Sequence, residues 1–176
     1  MSELRKANFD ATFFITFTTV GWIDVFTRED YCEFIIDSLI FAQEERGVDI
    51  FAYVIMPSHL HIVARQDEGQ LNKWMGNFKS YTSKEIVKMI SKNPFESRKE
   101  WILYLFKFFA KGTKQNDNFM FWQKTSHPIE LYTPEVIDQK IDYIHNNPVV
   151  AGIVTEAWAY KYSSANTMSR LKTLTT

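Results

Sequence analysis

Residues 48–65 read VDIFAYVIMPSHLHIVAR, and this stretch decides the fold. The apolar, β-branched and aromatic run at 48–55 predicts a strand, Met56, Pro57 and Ser58 a turn, and residues 59–65 a second strand running back antiparallel to the first. Successive side chains of a strand point to opposite faces, so His59 and His61 share one face and Leu60 and Ile62 the other. Two neutral imidazoles converging from one strand are half of a metal site.

On the N-terminal side, residues 11–20 alternate Phe13, Ile15, Phe17 and Thr19 against Phe14, Thr16 and Thr18, the period of a strand. A helix is expected from Arg28 to about Arg46, with Thr27 as its cap, Glu29 and Asp30 in its first turn and Gly47 just past its end. On the C-terminal side, residues 70–90 carry Leu71, Trp74, Met75, Phe78, Ile86 and Met89 at helical spacing. Residues 101–110 are a further helix, expected to bury Trp101, Leu105 and Phe108, and residues 112–118 are a polar loop. Residues 119–122 together with 129–131 suggest a short last strand. Pro134 suits the first turn of a final helix ending near Asn147, because Pro148 disfavours helical backbone in the residue before it.

The order strand, helix, strand-turn-strand, helices, strand, helix is an α+β pattern with a small antiparallel sheet and helices packed mainly on one face. The whole chain, 1–176, is expected to be a single domain with its core at about 9–165 and a C-terminal tail at 166–176. At 45% hydrophobic and 16% aromatic residues it can bury a sizeable core. The lone Cys32 excludes an internal disulfide. No apolar segment follows Met1 and no run of 18 apolar residues occurs, so a soluble, cytoplasmic protein with no membrane partner is the expectation.

Net charge is only −1, but the charges are segregated. Residues 1–70 hold 5 basic and 12 acidic side chains, a net of −7, whereas residues 71–126 hold 11 basic and 4 acidic, a net of +7. A basic face on a neutral molecule is the footprint a polyanion requires. Lys79, Lys84, Lys88 and Lys92 are the candidate DNA-phosphate contacts.

A second motif, DYIHNNPVVAGIV at 142–154, places Tyr143 and Asn147 four apart and so on one helical face. Such a pair can supply a nucleophilic phenol and an amide-oxygen ligand. His127 and His145 are read as structural, His145 because two residues round a helix turn it away from Tyr143. With His59 and His61, the Asn147 oxygen would leave positions open for phosphate and water, a mixed N/O set that suits Mg²⁺ or Mn²⁺ and leaves zinc open.

MPSHLH at 56–61 followed by this second motif resembles the single-tyrosine HUH transposases of small insertion sequences, and most closely their REP-associated tyrosine transposase relatives. The resemblance runs from Phe13 to Ala165. It implies a ferredoxin-like or RRM-like sheet with the histidine pair on a central strand. It also implies Tyr143 as the catalytic nucleophile, a 5′-phosphotyrosine on single-stranded DNA, Mg²⁺ or Mn²⁺ as cofactor, and DNA hairpins as partners. Insertion-sequence members commonly carry glutamine where Asn147 stands and often asparagine where Ser58 stands; Asn147 is the choice of the REP-associated branch. The former are dimers that exchange the tyrosine helix and the latter can be monomers, so monomer and homodimer both stay open. Two other functions fit the same residues: a domesticated, non-cleaving hairpin-DNA-binding protein, and a metal-dependent phosphodiesterase that uses water.

Overall fold

Four strands form one antiparallel sheet: β1 (Thr12–Thr18), β2 (Asp49–Met56), β3 (His59–Arg65) and β4 (Ile129–Leu131). The computed structural model describes residues 11–66, 69–111, 118–126 and 128–175; His127 and most of the expected loop at 112–118 lie outside them. The spatial order is β2-β3-β1-β4, the order of a ferredoxin-like βαββαβ unit, with β1 and β3 in the middle. Among the described residues four α-helices complete the fold: α1 (Glu29–Arg46), α2 (Leu71–Lys92), α3 (Lys99–Lys111) and α4 (Pro134–Val150).

The alternation in the strands divides the molecule into two cores. Phe13, Ile15, Phe17, Tyr53, Ile55, Leu60, Ile62 and Ala64 point to one face and bury α1, α2 and α3. Phe14, Ala52, Val54, Met56 and Val63 point to the other, where Ile144 of α4 covers them. A bulge between Ile50 and Ala52 lets the consecutive Phe51 and Ala52 serve this second face before strict alternation resumes. The helices therefore lie three on one face and one on the other.

Local chemistry accounts for most boundaries. Gly47, at φ 61°, ends α1 in the left-handed region. Thr27 does not cap α1. It belongs to a short 3-10 turn, Val25–Thr27, and its hydroxyl donates to the Asp24 carbonyl, which leaves Arg28 at the cap position with no side-chain cap bond. On α3 the buried residues are Ile102, Phe106 and Ala110, while Trp101, Tyr104 and Phe108 are exposed. This helix is apolar on nearly every side, so a spacing of four fits more than one face and the expected face was off by one residue. The segment at 119–122 is not a strand of the sheet; Trp122 bridges to Thr19, and Phe121 and Trp122 are buried in the core on the α1–α3 face. Helix α4 runs past Asn147 to Val150 with Pro148 inside it. Proline in a last turn removes only one N–H, its ring is buried, and its carbonyl accepts from Ile153 N–H.

One buried carboxylate ties the α2–α3 connection to the start of α1. Glu96 accepts from Arg28 Nε at 3.3 Å and from Arg98 Nε at 3.3 Å, with its own side chain fully buried. Burial raises its pKa, but the hydrogen bonds and charges of Arg98 and Arg28 outweigh that and hold it below the usual carboxylate value. A carboxylate held low contributes stability that is present above its unfolded value and is lost as pH falls through the folded one. Glu96→Gln is therefore expected to cost about 2 kcal/mol at neutral pH and to flatten the acid limb of stability below about pH 4.5, read by urea unfolding across pH.

Candidate active site on the α4 face of the sheet

His59 and His61 sit at the start of β3 with their rings on the α4 side, centroids 4.7 Å apart. The neighbouring strand places Thr16 opposite His61, and Thr16 Oγ1 lies 2.8 Å from His61 Nδ1. Phe14 stacks on the same ring at 5.1 Å and 25°. Ser58 Oγ lies 3.2 Å from His59 Nδ1. In both rings the nitrogen engaged is Nδ1, which leaves Nε2 as the nitrogen available to a ligand. Burial lowers the pKa of both; His61, with His59 and Lys140 adding to the effect of burial, is pushed down to about 3. Both imidazoles are thus neutral at neutral pH, the form with a lone pair to give.

Helix α4 brings the second motif to this pair. Thr133 caps it, its hydroxyl accepting from Val136 N–H, with Pro134 at the first turn. Ile137, Ile141, Ile144 and Pro148 form the stripe turned to the sheet. The adjoining stripe, Gln139, Asp142, Tyr143, Asn146, Asn147 and Val150, lines a cleft of about 500 Å³ together with His59, His61, Trp22 and Ala151. Tyr143 is half exposed, and its ring meets His61 edge-on at 5.6 Å and Phe14 at 5.9 Å. The Lys140 ammonium lies 5.6 Å above the Tyr143 ring and 5.2 Å above that of Phe14. The four residues singled out in two distant motifs, His59, His61, Tyr143 and Asn147, thus line one cavity.

His145 turns the other way, its Nε2 2.9 Å from Ser164 Oγ, which ties α4 to the C-terminal segment. The lysines do not reach the cleft. Lys79 donates to the carbonyls of Gln123 at 2.6 Å and Lys124 at 2.9 Å, so its ammonium is held by the protein, and burial lowers its pKa. Lys84, Lys88 and Lys92 are exposed on α2, across the sheet from α4, with Lys88 paired to Glu85 at 3.1 Å. Thr16, Phe14, Lys140 and Trp22 belong to the site without having been expected there. Thr16 follows from the β1–β3 register and Lys140 from its place one turn before Tyr143; Trp22 has no signal in sequence.

Among the described residues no cluster of three His, Cys, Asp or Glu side chains forms. A divalent cation would therefore take His59 and His61 through Nε2 and the Asn147 amide oxygen, and complete its shell with substrate and water oxygens. That mixed set fits a cation that arrives with phosphate. Asp142 is the one carboxyl side chain lining the cleft, and the Lys140 ammonium above the Tyr143 ring is the cation beside it. Among the described residues no helix is long and apolar enough to cross a membrane.

No curated protein matches the chain in sequence. Among solved structures it resembles a REP-associated tyrosine transposase determined bound to a REP hairpin, with a TM-score of 0.59 at 19% identity over 93% of this chain and 82% of that one. At that identity the likeness speaks for the fold. The family model for IS200-like transposases matches residues 10–118, which include the histidine pair and stop short of α4, so Tyr143 and Asn147 stand on the geometry of the cleft. With well over half of its length matched, the chain belongs to the IS200-like transposase family.

Proposed function

We propose that the protein cleaves and rejoins single-stranded DNA through a covalent link to Tyr143, with a divalent cation at His59, His61 and Asn147. The observation that carries this reading is the single cleft shared by a half-exposed tyrosine, two neutral imidazoles and an amide on the next helical turn. The Tyr143 oxygen attacks the scissile phosphorus in line; a Tyr Oη–P bond forms as the P–O3′ bond breaks. The phenolic proton leaves to solvent and the departing oxygen takes one up, giving a 5′-phosphotyrosine and a free 3′-hydroxyl. One phosphodiester replaces another, so a second 3′-hydroxyl can reverse the step and complete strand transfer. A bound Mg²⁺ or Mn²⁺ would neutralise charge on the phosphate oxygens and orient the bond, which matters because a free phenol near pKa of about 10 is a poor nucleophile. His61 is held by Thr16 and Phe14, and Tyr143 by His61, Phe14 and Lys140, so the reacting groups are positioned before substrate arrives. The exposed Lys84, Lys88 and Lys92 serve as contacts to hairpin phosphates away from the cleft.

The test is incubation with labelled single-stranded hairpin DNA from the gene's own flanks and Mg²⁺ or Mn²⁺, followed by a denaturing gel. The expected result is a protein–DNA band that disappears with chelator. Cleavage with no trappable adduct would point to water as nucleophile, and hairpin binding with neither to a domesticated, non-cleaving protein.

A further inference from the structure

The connection between β1 and α1 holds a tryptophan in an unusual way. Trp22 has a φ of 54°, the one non-glycine residue with positive φ among those described, and follows Gly21 at 60°. Side chains rarely adopt this backbone region, and such outliers persist only where the surroundings enforce them. The enforcement is visible. Buried Thr19 accepts from Trp22 N–H at 3.1 Å, and its own N–H and hydroxyl donate to the Ser58 carbonyl, each at 2.9 Å. Its hydroxyl also lies 2.7 Å from the Ile23 carbonyl, and Phe26 N–H donates to Pro57 at 2.8 Å. Any side chain at Gly21 would meet the Phe109 ring at 2.7 Å. The segment is thus laced to the turn that carries His59.

For all this restraint, the indole is not buried. It is 59% exposed, lines the cleft, and meets the His59 ring edge-on at 5.5 Å. Val150, from the far end of α4 and 87% exposed, lines the same cleft. A solvent-facing aromatic plane on a restrained backbone beside the histidine pair, with a second apolar side chain contributed by another element, suits a flat apolar group attached to a phosphate.

We propose that Trp22 is a stacking platform for an unpaired nucleobase next to the scissile phosphate. Every base offers a π-face, so the contact is tolerant of sequence and favours single strands, whose bases are free to stack. The proposal rests on the DNA reading above, and its test is a binding measurement that needs no turnover.

Binding of a fluorescein-labelled oligodeoxyadenylate and of an abasic strand of equal length would be followed by anisotropy without added metal. Trp22→Ala is expected to weaken oligodeoxyadenylate binding roughly 5- to 150-fold, Trp22→Phe to recover most of that loss, and both to bind the abasic strand as the wild type does. Equal binding of oligodeoxyadenylate by Trp22→Ala and wild type would overturn the proposal. So would a loss of the same size on the abasic strand, or a wild type that does not prefer bases to bare backbone. A wild type that shows the stacking signature but forms no adduct with hairpin DNA would leave the platform standing and refute tyrosine cleavage; an adduct without the signature would do the reverse.

Discussion

Tyr143→Phe is expected to abolish the covalent protein–DNA species and to lower cleavage by at least about 10³-fold, while binding the same hairpin within about twofold of wild type. The asymmetry follows from what the substitution removes. Phenylalanine keeps the edge-on contact with His61, the contact with Phe14 and the Lys140 ammonium above the ring. It loses only a phenolic oxygen on a half-exposed side chain, so stability should change by no more than about 0.5 kcal/mol. A nucleophile has no substitute in the cleft: Gln139, Asp142, Asn146 and Asn147 are the other oxygen-bearing side chains of α4 that line it, and none can form a phosphotyrosine. Adduct formation on a denaturing gel and hairpin binding by anisotropy measure the two halves separately. A variant that still cleaves at the wild-type rate would transfer the chemistry to water.

The second large effect is expected at His61. His61→Ala removes a proposed ligand nitrogen and the partner of Thr16 and Phe14, and should bring metal-dependent cleavage to background with Mn²⁺ binding lost in calorimetry. Thr16→Val gives the sharper contrast. It keeps the ring but removes the oxygen at Nδ1, so Mn²⁺ affinity should fall about 10- to 100-fold, with activity partly restored by raising the metal concentration. Metal rescue of Thr16→Val without rescue of His61→Ala is the pattern of a positioning residue behind a ligand. Wild-type Mn²⁺ affinity in His61→Ala would remove the histidine pair from the cation site.

The hairpin at 48–65 was legible because periods, turn and histidines all agree there, and β3 has the bounds expected from the alternation. The helical spacing of Tyr143 and Asn147 was legible for the same reason, and the fold brings them to the histidines. What stayed hidden depends on tertiary contacts. The buried face of α3 could not be chosen, because its apolar residues run round the helix and only tertiary contacts, among them the Phe106–Phe121 ring pair at 5.2 Å, select Ile102 and Phe106. The lysine pattern was real but its direction was not readable: Lys79 is spent on carbonyls of a segment more than forty residues away, and α2 lies across the sheet from the cleft. Trp22 escaped because its role rests on a backbone conformation that neither composition nor period encodes.

The central claim is a covalent bond to one tyrosine, and the most direct measurement locates it. The protein would be reacted with a short single strand of its own flanking DNA and Mn²⁺, digested with trypsin and nuclease, and the nucleotide-bearing peptide fragmented by mass spectrometry. The account predicts the nucleotide on the peptide spanning residues 141–161, at Tyr143 and not at Tyr160. A nucleotide on any other residue, or cleaved DNA with no modified peptide, would contradict it.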